Sequence, residues 1–323
     1  QRQLLADAFA REGAVQCGFC TPGIAVRAAH LITRNLTGDR KRVERALAGH
    51  LCRCTGYNRI VDAIQTAGEA AQSGGDVAAG PPRRPHFFGE AHGLERSSQR
   101  TAECGVGSSL PRYGGRSRTL GEKAFVADLE VEDMLHAAVV LAQHPRARII
   151  EIDTVNAFEA AGVKRVLTAR DIPGVRHHGL IVPDWPLLVA EGEDTRYVGD
   201  ILAVVIADSQ HRARRAASLV GVEYEILDPV CDPESALAEG APAIHDGGNL
   251  LEACAFRRGD VDSALAASAH TIEETFTTQR IEHAFLEPEA CLAVPDGAGL
   301  KVFSQGQGVH EDQRQIAAIL DID

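Results

Sequence analysis

The stretch VQCGFCTPG, residues 15–23, sets Cys17 and Cys20 three positions apart, and LCRCTGY, residues 51–57, sets Cys52 and Cys54 two apart, with 31 residues between the pairs. Thiolates are soft ligands that select zinc, copper(I) and iron–sulfur clusters. Four of them from two loops meet the donor demand of one tetrahedral ion or one two-iron cluster. Spacing alone leaves the choice open. Zinc knuckles favour a two-residue spacer on both sides, so that each loop curls around the ion, and the single spacer at Cys52-x-Cys54 is less typical of them. A two-iron cluster takes two thiolates per iron, so the shorter pair and the longer pair can each serve one iron. Disulfides or unligated thiols are the third alternative.

Residues 1–72 must position these loops, and their periodicity is helical. Leu4, Leu5, Ala8 and Phe9 recur at helical spacing before Gly13. Thr21-Pro22 reads as an N-cap with proline at the first helical position, opening GIAVRAAHLIT. RKRVERALAGH and NRIVDAIQTAGEAA supply two further amphipathic segments, so both cysteine pairs fall in loops at helix ends of a small bundle. Periodicity vanishes over 73–118, a Gly-, Pro-, Ser- and Arg-rich stretch predicted as a linker. Its GVGSS, residues 105–109, is a weak phosphate-loop signal.

Over 119–230, strand patterns (LHAAVVLA, ARIIEID, VKRVLTA, DILAVVIA, VEYEIL) alternate with helical TVNAFEAA and DSQHRARRAASLVG, the latter capped by Asp208 or Ser209. A third section, 245–323, shows strand candidates TIEETFTTQ, ACLAVP and LKVFSQGQ and then a helix from about Val309. The predicted fold class is multi-domain α+β.

A net charge of −12, from 45 acidic and 33 basic residues, disfavours nucleic acid and anionic lipid as partners. DRKRVER therefore reads as a solvated helix face. No apolar run reaches the roughly 20 residues that span a bilayer. Eight cysteines in 323 residues are too sparse for a secreted disulfide scaffold and suit a reducing cytosol. The single methionine is Met134, and the last residues stop inside a helical pattern, so the chain reads as part of something longer.

QCGFCTPG followed by LCRCTGY resembles the second iron–sulfur domain of the molybdenum hydroxylases, the xanthine dehydrogenase and aldehyde oxidase family. The likeness includes Gln16, Gly18, Thr21, Pro22, Gly23, Thr55, Gly56 and Tyr57. GVGSSLPRYGGRSRTLGEKAFVADL resembles the entry to the molybdenum part, PRARIIEIDTVNA and TRYVGDILAVVIADSQHRARRAASLVGVEYEILDPV its α/β hammerhead domain, and QRIEHAFLEPEACLAV with VFSQGQGVHEDQ the start of its molybdopterin-binding domain. The resemblance implies a [2Fe-2S] cluster on Cys17, Cys20, Cys52 and Cys54, with Gln16 and Cys54 touching the pterin. It implies that Gln307 hydrogen-bonds a molybdenum oxygen ligand, with Gln305 as the alternative register, and that Gly306 and Gly308 admit close backbone approach.

The implied activity is hydroxylation of a purine with water-derived oxygen; an aldehyde is the alternative substrate, and a zinc-stapled binding module the alternative of another class. The molybdenum–pterin cofactor is expected in the full-length protein and FAD is not expected in this chain. A separate flavin or other electron-acceptor protein and a homodimer are the partners the resemblance admits. The family's catalytic glutamate has no counterpart here, so these residues alone are expected to be inactive.

Glu287 and Glu289 suggest paired carboxylates but are read as solvated or structural, and His177-His178 as a surface loop, since adjacent strand residues face opposite ways.

Overall fold

A computed structural model describes residues 1–77 and 110–322. GVGSS at 105–109, Cys104 and most of the predicted linker lie outside the described residues. The chain divides into two compact units, Gln1–Leu129 with Phe276–Gln305, and Glu130–Thr275 with Gly306–Asp323.

The first unit opens with four helices: α1 (Arg2–Glu12), α2 (Thr21–Thr33), α3 (Arg40–Ala46) and α4 (Asn58–Ser73). Their apolar faces, among them Leu5, Phe9, Ile24, Leu31, Val43, Ile60 and Ile64, form one buried cluster. Asp39 caps α3 by accepting from the Lys41 and Arg42 amides, which satisfies donors that a helix start leaves unpaired. Asp62, buried on α4, accepts from Arg40 Nη1 at 2.6 Å, the pairing that a buried carboxylate requires.

The predicted cap at Thr21 shifts by one residue. Cys20 occupies the cap position, Thr21 is the first helical residue and Pro22 the second. The cause is the turn before it: the Thr21 amide already donates to Gly18 O (3.1 Å), and the first helical bond, from Ile24 N–H, ends on Cys20 O (3.2 Å). Residues 73–118 also depart from the linker prediction at both edges. Ser73 is still helical, and α5 (Gly115–Thr119) packs on α1 and α2. Gly-rich, charged composition hid that helix, which tertiary packing stabilises rather than periodicity.

The second unit is built on α/β alternation. β1 (His136–Leu141), β2 (Ala147–Asp153), the single turn α6 (Val155–Phe158), β3 (Val163–Thr168), β4 (His177–His178), β5 (Trp185–Pro186), β6 (Ile201–Ala207), α7 (Gln210–Ala217) and β7 (Gly221–Ile226) follow in order. β6 is central in an antiparallel β1–β6–β3 sheet, with Val139 opposite Val204 and Leu167 opposite Val204; β2 pairs with β7. Ser209 caps α7 by accepting from the Arg212 amide. β4 pairs only with β5, so the two histidines lie on opposite faces of a short bridge. Two short helices, α8 (Pro233–Leu237) and α9 (Val261–Ala267), lead into a hairpin of β8 (Leu292–Asp296) and β9 (Gly299–Phe303), which belongs to the first unit, and α10 (Val309–Leu320).

TIEETFTTQ, residues 271–279, is not a strand. Ile272 and Phe276 are 90% and 89% exposed, and a strand without a partner leaves its backbone groups to water.

Arg176 and Glu193 make the best-formed ion pair of the second unit. Nη1 donates to Oε2 at 2.8 Å, Nη2 to Oε1, and the carboxylate also accepts from the Ala190 amide at 2.9 Å. The Arg176 hydrogen bond holds the Glu193 carboxyl below its ordinary value. A depressed carboxylate contributes stability above its unfolded value of 4.5 that is lost as pH falls through the folded one. Glu193→Gln is therefore expected to lower the thermal midpoint at pH 7 and to differ less and less from the unaltered chain below about pH 4.5. A deficit that stays constant down to pH 3 would contradict this pairing.

Candidate metal centre

The two cysteine loops meet at the end of the bundle where α1 runs out and α2 and α4 begin. All four thiols are half-buried. Cys54 Sγ lies 3.6 Å from Cys17 Sγ, and Cys20 and Cys52 are near enough to shift one another's proton affinity. The pairs therefore run between the loops, Cys17 with Cys54 and Cys20 with Cys52. The reason that the pairs do not run within each motif is geometric. Cys17 ends a loop on one side of the Gly18 turn while Cys20 heads α2 on the other, so each thiol faces the opposite loop rather than its sequence neighbour.

Two sulfurs on one tetrahedral metal with bonds of about 2.3 Å stand roughly 3.8 Å apart, close to the Cys17–Cys54 separation. Two pairs of thiols suit two metals, two ligands each. The donor set fits a two-iron cluster.

The thiols differ in proton affinity. Burial, then the hydrogen bond and charge of Cys52, push Cys20 up to about 12. Burial also acts to raise Cys52, but hydrogen bonds from the Thr55 hydroxyl and amide, with Cys20 and the Cys54 amide, bring it below its ordinary value. Burial and the Cys17 hydrogen bond raise Cys54.

Local backbone holds these thiols. Tyr57 has φ +66°, a left-handed conformation costing a non-glycine residue roughly 1–2 kcal/mol. Its hydroxyl offsets that cost: it accepts from the Cys52 amide at 2.8 Å and donates to His50 O at 2.9 Å, closing the second loop on itself. Thr55 Oγ1 lies 3.2 Å from Cys52 Sγ and accepts from the Tyr57 amide at the same distance. Arg53, between the two cysteines, points away from them, donating from Nε to His283 O at 2.7 Å and from Nη2 to Glu282 O at 2.8 Å. Arg118 donates to Cys17 O at 2.7 Å. Sequence reasoning assigns no role to Arg53 or Arg118. Arg53 sits inside the motif and could have been questioned there; Arg118, 101 positions from Cys17, carries no local signal.

The remaining predicted residues fall as follows. Gln16 is exposed beside Cys17. Gln305 is engaged with backbone, accepting from the Ala290 amide at 3.1 Å and donating to Pro288 O. Gln307 is exposed, next to Gly306, whose Cα lies close to the Asp312 carboxylate. Glu287 is half-buried and Glu289 exposed.

Three family models match in series: a [2Fe-2S] binding domain at residues 1–65, the aldehyde oxidase and xanthine dehydrogenase a/b hammerhead domain at 120–228, and a molybdopterin cofactor-binding domain at 244–323. The chain is similar to a Bacillus subtilis protein named as one subunit of a probable xanthine dehydrogenase, 36% identical over 66% of this chain and 29% of that protein. It is similar to an aldehyde oxidoreductase of Megalodesulfovibrio gigas, 33% identical over 95% of this chain and 34% of the relative. Among solved structures, the aldehyde oxidoreductase from Desulfovibrio gigas superposes with a TM-score of 0.80 at 28% identity, covering 99% of this chain and 35% of that one. The chain thus spans about a third of the length of these relatives. It carries an iron–sulfur domain, a hammerhead domain and molybdopterin-binding sequence, in that order. No helix among the described residues is long and apolar enough to cross a membrane.

Proposed function

Since the chain belongs to the xanthine dehydrogenase and aldehyde oxidase family of molybdenum hydroxylases, with three of its domains in series, we propose that it forms the electron-exit part of such an oxidoreductase. Cys17, Cys20, Cys52 and Cys54 hold its [2Fe-2S] cluster. The observation that carries this reading is the meeting of four thiols in two inter-loop pairs, one of them 3.6 Å across. When bound, the molybdenum cofactor supplies the two-electron oxidation of the substrate and the cluster passes electrons singly.

The chain's own residues prepare the place. Cys17 and Cys54 would hold one iron and Cys20 and Cys52 the other. The Tyr57 hydroxyl and Thr55 keep the second loop in its ligating shape, so that little ordering is left for the moment of loading. With the cofactor bound, Gln16 and Cys54 would face the pterin and Gln307 would donate toward the oxygen ligands. Gln307 is preferred over Gln305 because Gln305 spends both ends of its amide on backbone.

A purine is the first reading of the substrate, on the higher identity to the Bacillus subtilis protein whose name places it in a xanthine dehydrogenase. An aldehyde is the second, favoured by a likeness to the aldehyde oxidoreductase that runs through 95% of this chain. We place the protein in the cytoplasm, with a small-molecule substrate and a separate electron acceptor.

The test begins with composition. The chain produced anaerobically is expected to contain iron and acid-labile sulfide; about one zinc per chain without sulfide would instead make it a zinc-stapled module. The full-length holoenzyme is then offered hypoxanthine, xanthine and an aromatic aldehyde in 18O-labelled water. Label in a hydroxylated purine supports the first reading, label in a carboxylic acid the second, and turnover of neither overturns both.

A further inference from the structure

Arg118 falls between the family models matched at 1–65 and 120–228, in residues predicted as linker. The structure places it inside the loop that presents Cys17 and Cys20. Its stem lies across Gly18, which is buried at φ +89°, and a Cβ on Gly18 would stand 3.1 Å from both Cβ and Cδ of Arg118. Only glycine accepts both that backbone and that neighbour. Nη1 donates to Cys17 O at 2.7 Å. The guanidinium carbon sits 5.4 Å from the Phe125 ring centroid, and Phe125 meets Phe19 edge-on at 5.5 Å. Phe19 is the residue between Gly18 and Cys20, so the arginine is enclosed by the loop and by its own segment.

A hydrogen bond and a ring contact suffice to pin a loop; a full charge is not needed for either. Yet the guanidinium is charged at every working pH, its acceptor is a carbonyl rather than a carboxylate, and its Nε is buried with no acceptor. A half-buried guanidinium with one N–H buried and unused is costly unless negative charge accompanies it. A two-iron cluster on four thiolates brings that charge, and its net negative charge grows by one on reduction.

We propose that Arg118 is a tuning residue of the iron–sulfur centre, whose fixed positive charge against the Cys17–Cys20 loop favours the reduced cluster and so raises its reduction potential. This rests on the reading that Cys17, Cys20, Cys52 and Cys54 are the ligands. It also makes the redox poise of the centre depend on the docking of residues 110–129 onto the helices, since α5 brings the charge.

Full-length holoprotein bearing Arg118→Gln or Arg118→Lys is compared with the unaltered chain, first for iron and sulfide content and then by a reductive titration followed by electron paramagnetic resonance. The signal belonging to this cluster is the one that Cys20→Ser removes. Arg118→Gln keeps an N–H for Cys17 O but not the charge, and its equilibrium constant for reduction is expected to fall about tenfold, about 59 mV. Arg118→Lys keeps the charge and is expected to stay within about twofold of the unaltered chain. Should Arg118→Gln lose its cluster, retention of cluster and potential by Arg118→Lys supports the charge, and loss in both overturns it. A fully loaded Arg118→Gln with an unmoved potential, or equal shifts in both variants, overturns the proposal while leaving the ligand reading intact. Absence of iron and sulfide from the unaltered chain overturns the ligand reading and this proposal with it.

Discussion

Cys20→Ser is expected to remove about two irons and two sulfides per chain relative to the unaltered protein, together with their visible absorbance. Cys20 has two duties that serine cannot share. Its thiol is one of a pair with Cys52, and a hydroxyl is a far harder, less acidic donor that does not replace thiolate on iron. It also stands at the cap of α2, where its carbonyl accepts the first helical bond from Ile24. The backbone part of that role survives the substitution, so the helix remains. Cys254→Ser is the control, since Cys254 is exposed and far along the chain from the two loops. Metal and sulfide analysis with far-ultraviolet circular dichroism decides the matter. Equal iron in both variants would remove Cys20 from the ligand set.

Phe9→Ala should produce the largest loss of stability, about 3–5 kcal/mol. Phe9 is fully buried on α1 and belongs to the cluster that joins all four helices. Removing its ring leaves a cavity in that cluster, whose other members are held by their own helices. Against a typical stability of 5–15 kcal/mol, that is about a fifth of the total or more. The loss reaches the metal centre through covalent continuity, because α1 passes by way of buried Ala14 and Val15 directly into Cys17. Urea unfolding followed by cluster absorbance should show a midpoint lowered in proportion, while the transition of the second unit stays put. A shift under about 1 kcal/mol would mean that this bundle repacks far more freely than its burial indicates.

Much of the scaffold was legible because the signals are local. The strand read over ARIIEID has the same bounds as β2, with its alternation broken by the register shift between Ile149 and Glu151, and Ser209 before QHRARRAA is a cap that any helix start would favour. Where local signals competed, the outcome depended on neighbours. Thr21 has the chemistry of a cap but lost the position to Cys20 once Gly18 turned the chain. TIEETFTTQ has β-rich residues without a partner strand. The helix at Gly115–Thr119 is too short and too polar to declare itself, and it exists because α1 and α2 offer it a surface.

The same division runs through the metal centre. Sequence by itself determined which donors are present, that they sit in two loops at helix ends, and that thiolate chemistry is the business of the site. Those are properties of residue type and spacing along one chain. Tertiary structure alone decided that Cys17 meets Cys54 and Cys20 meets Cys52, that Gln305 is tied to backbone while Gln307 is not, and that a cation from Arg118 lies against the ligand loop. Such contacts join residues separated by tens of positions or by a hundred, and over those lengths the folded path of the chain, not its local pattern, sets which side chains come within bonding distance.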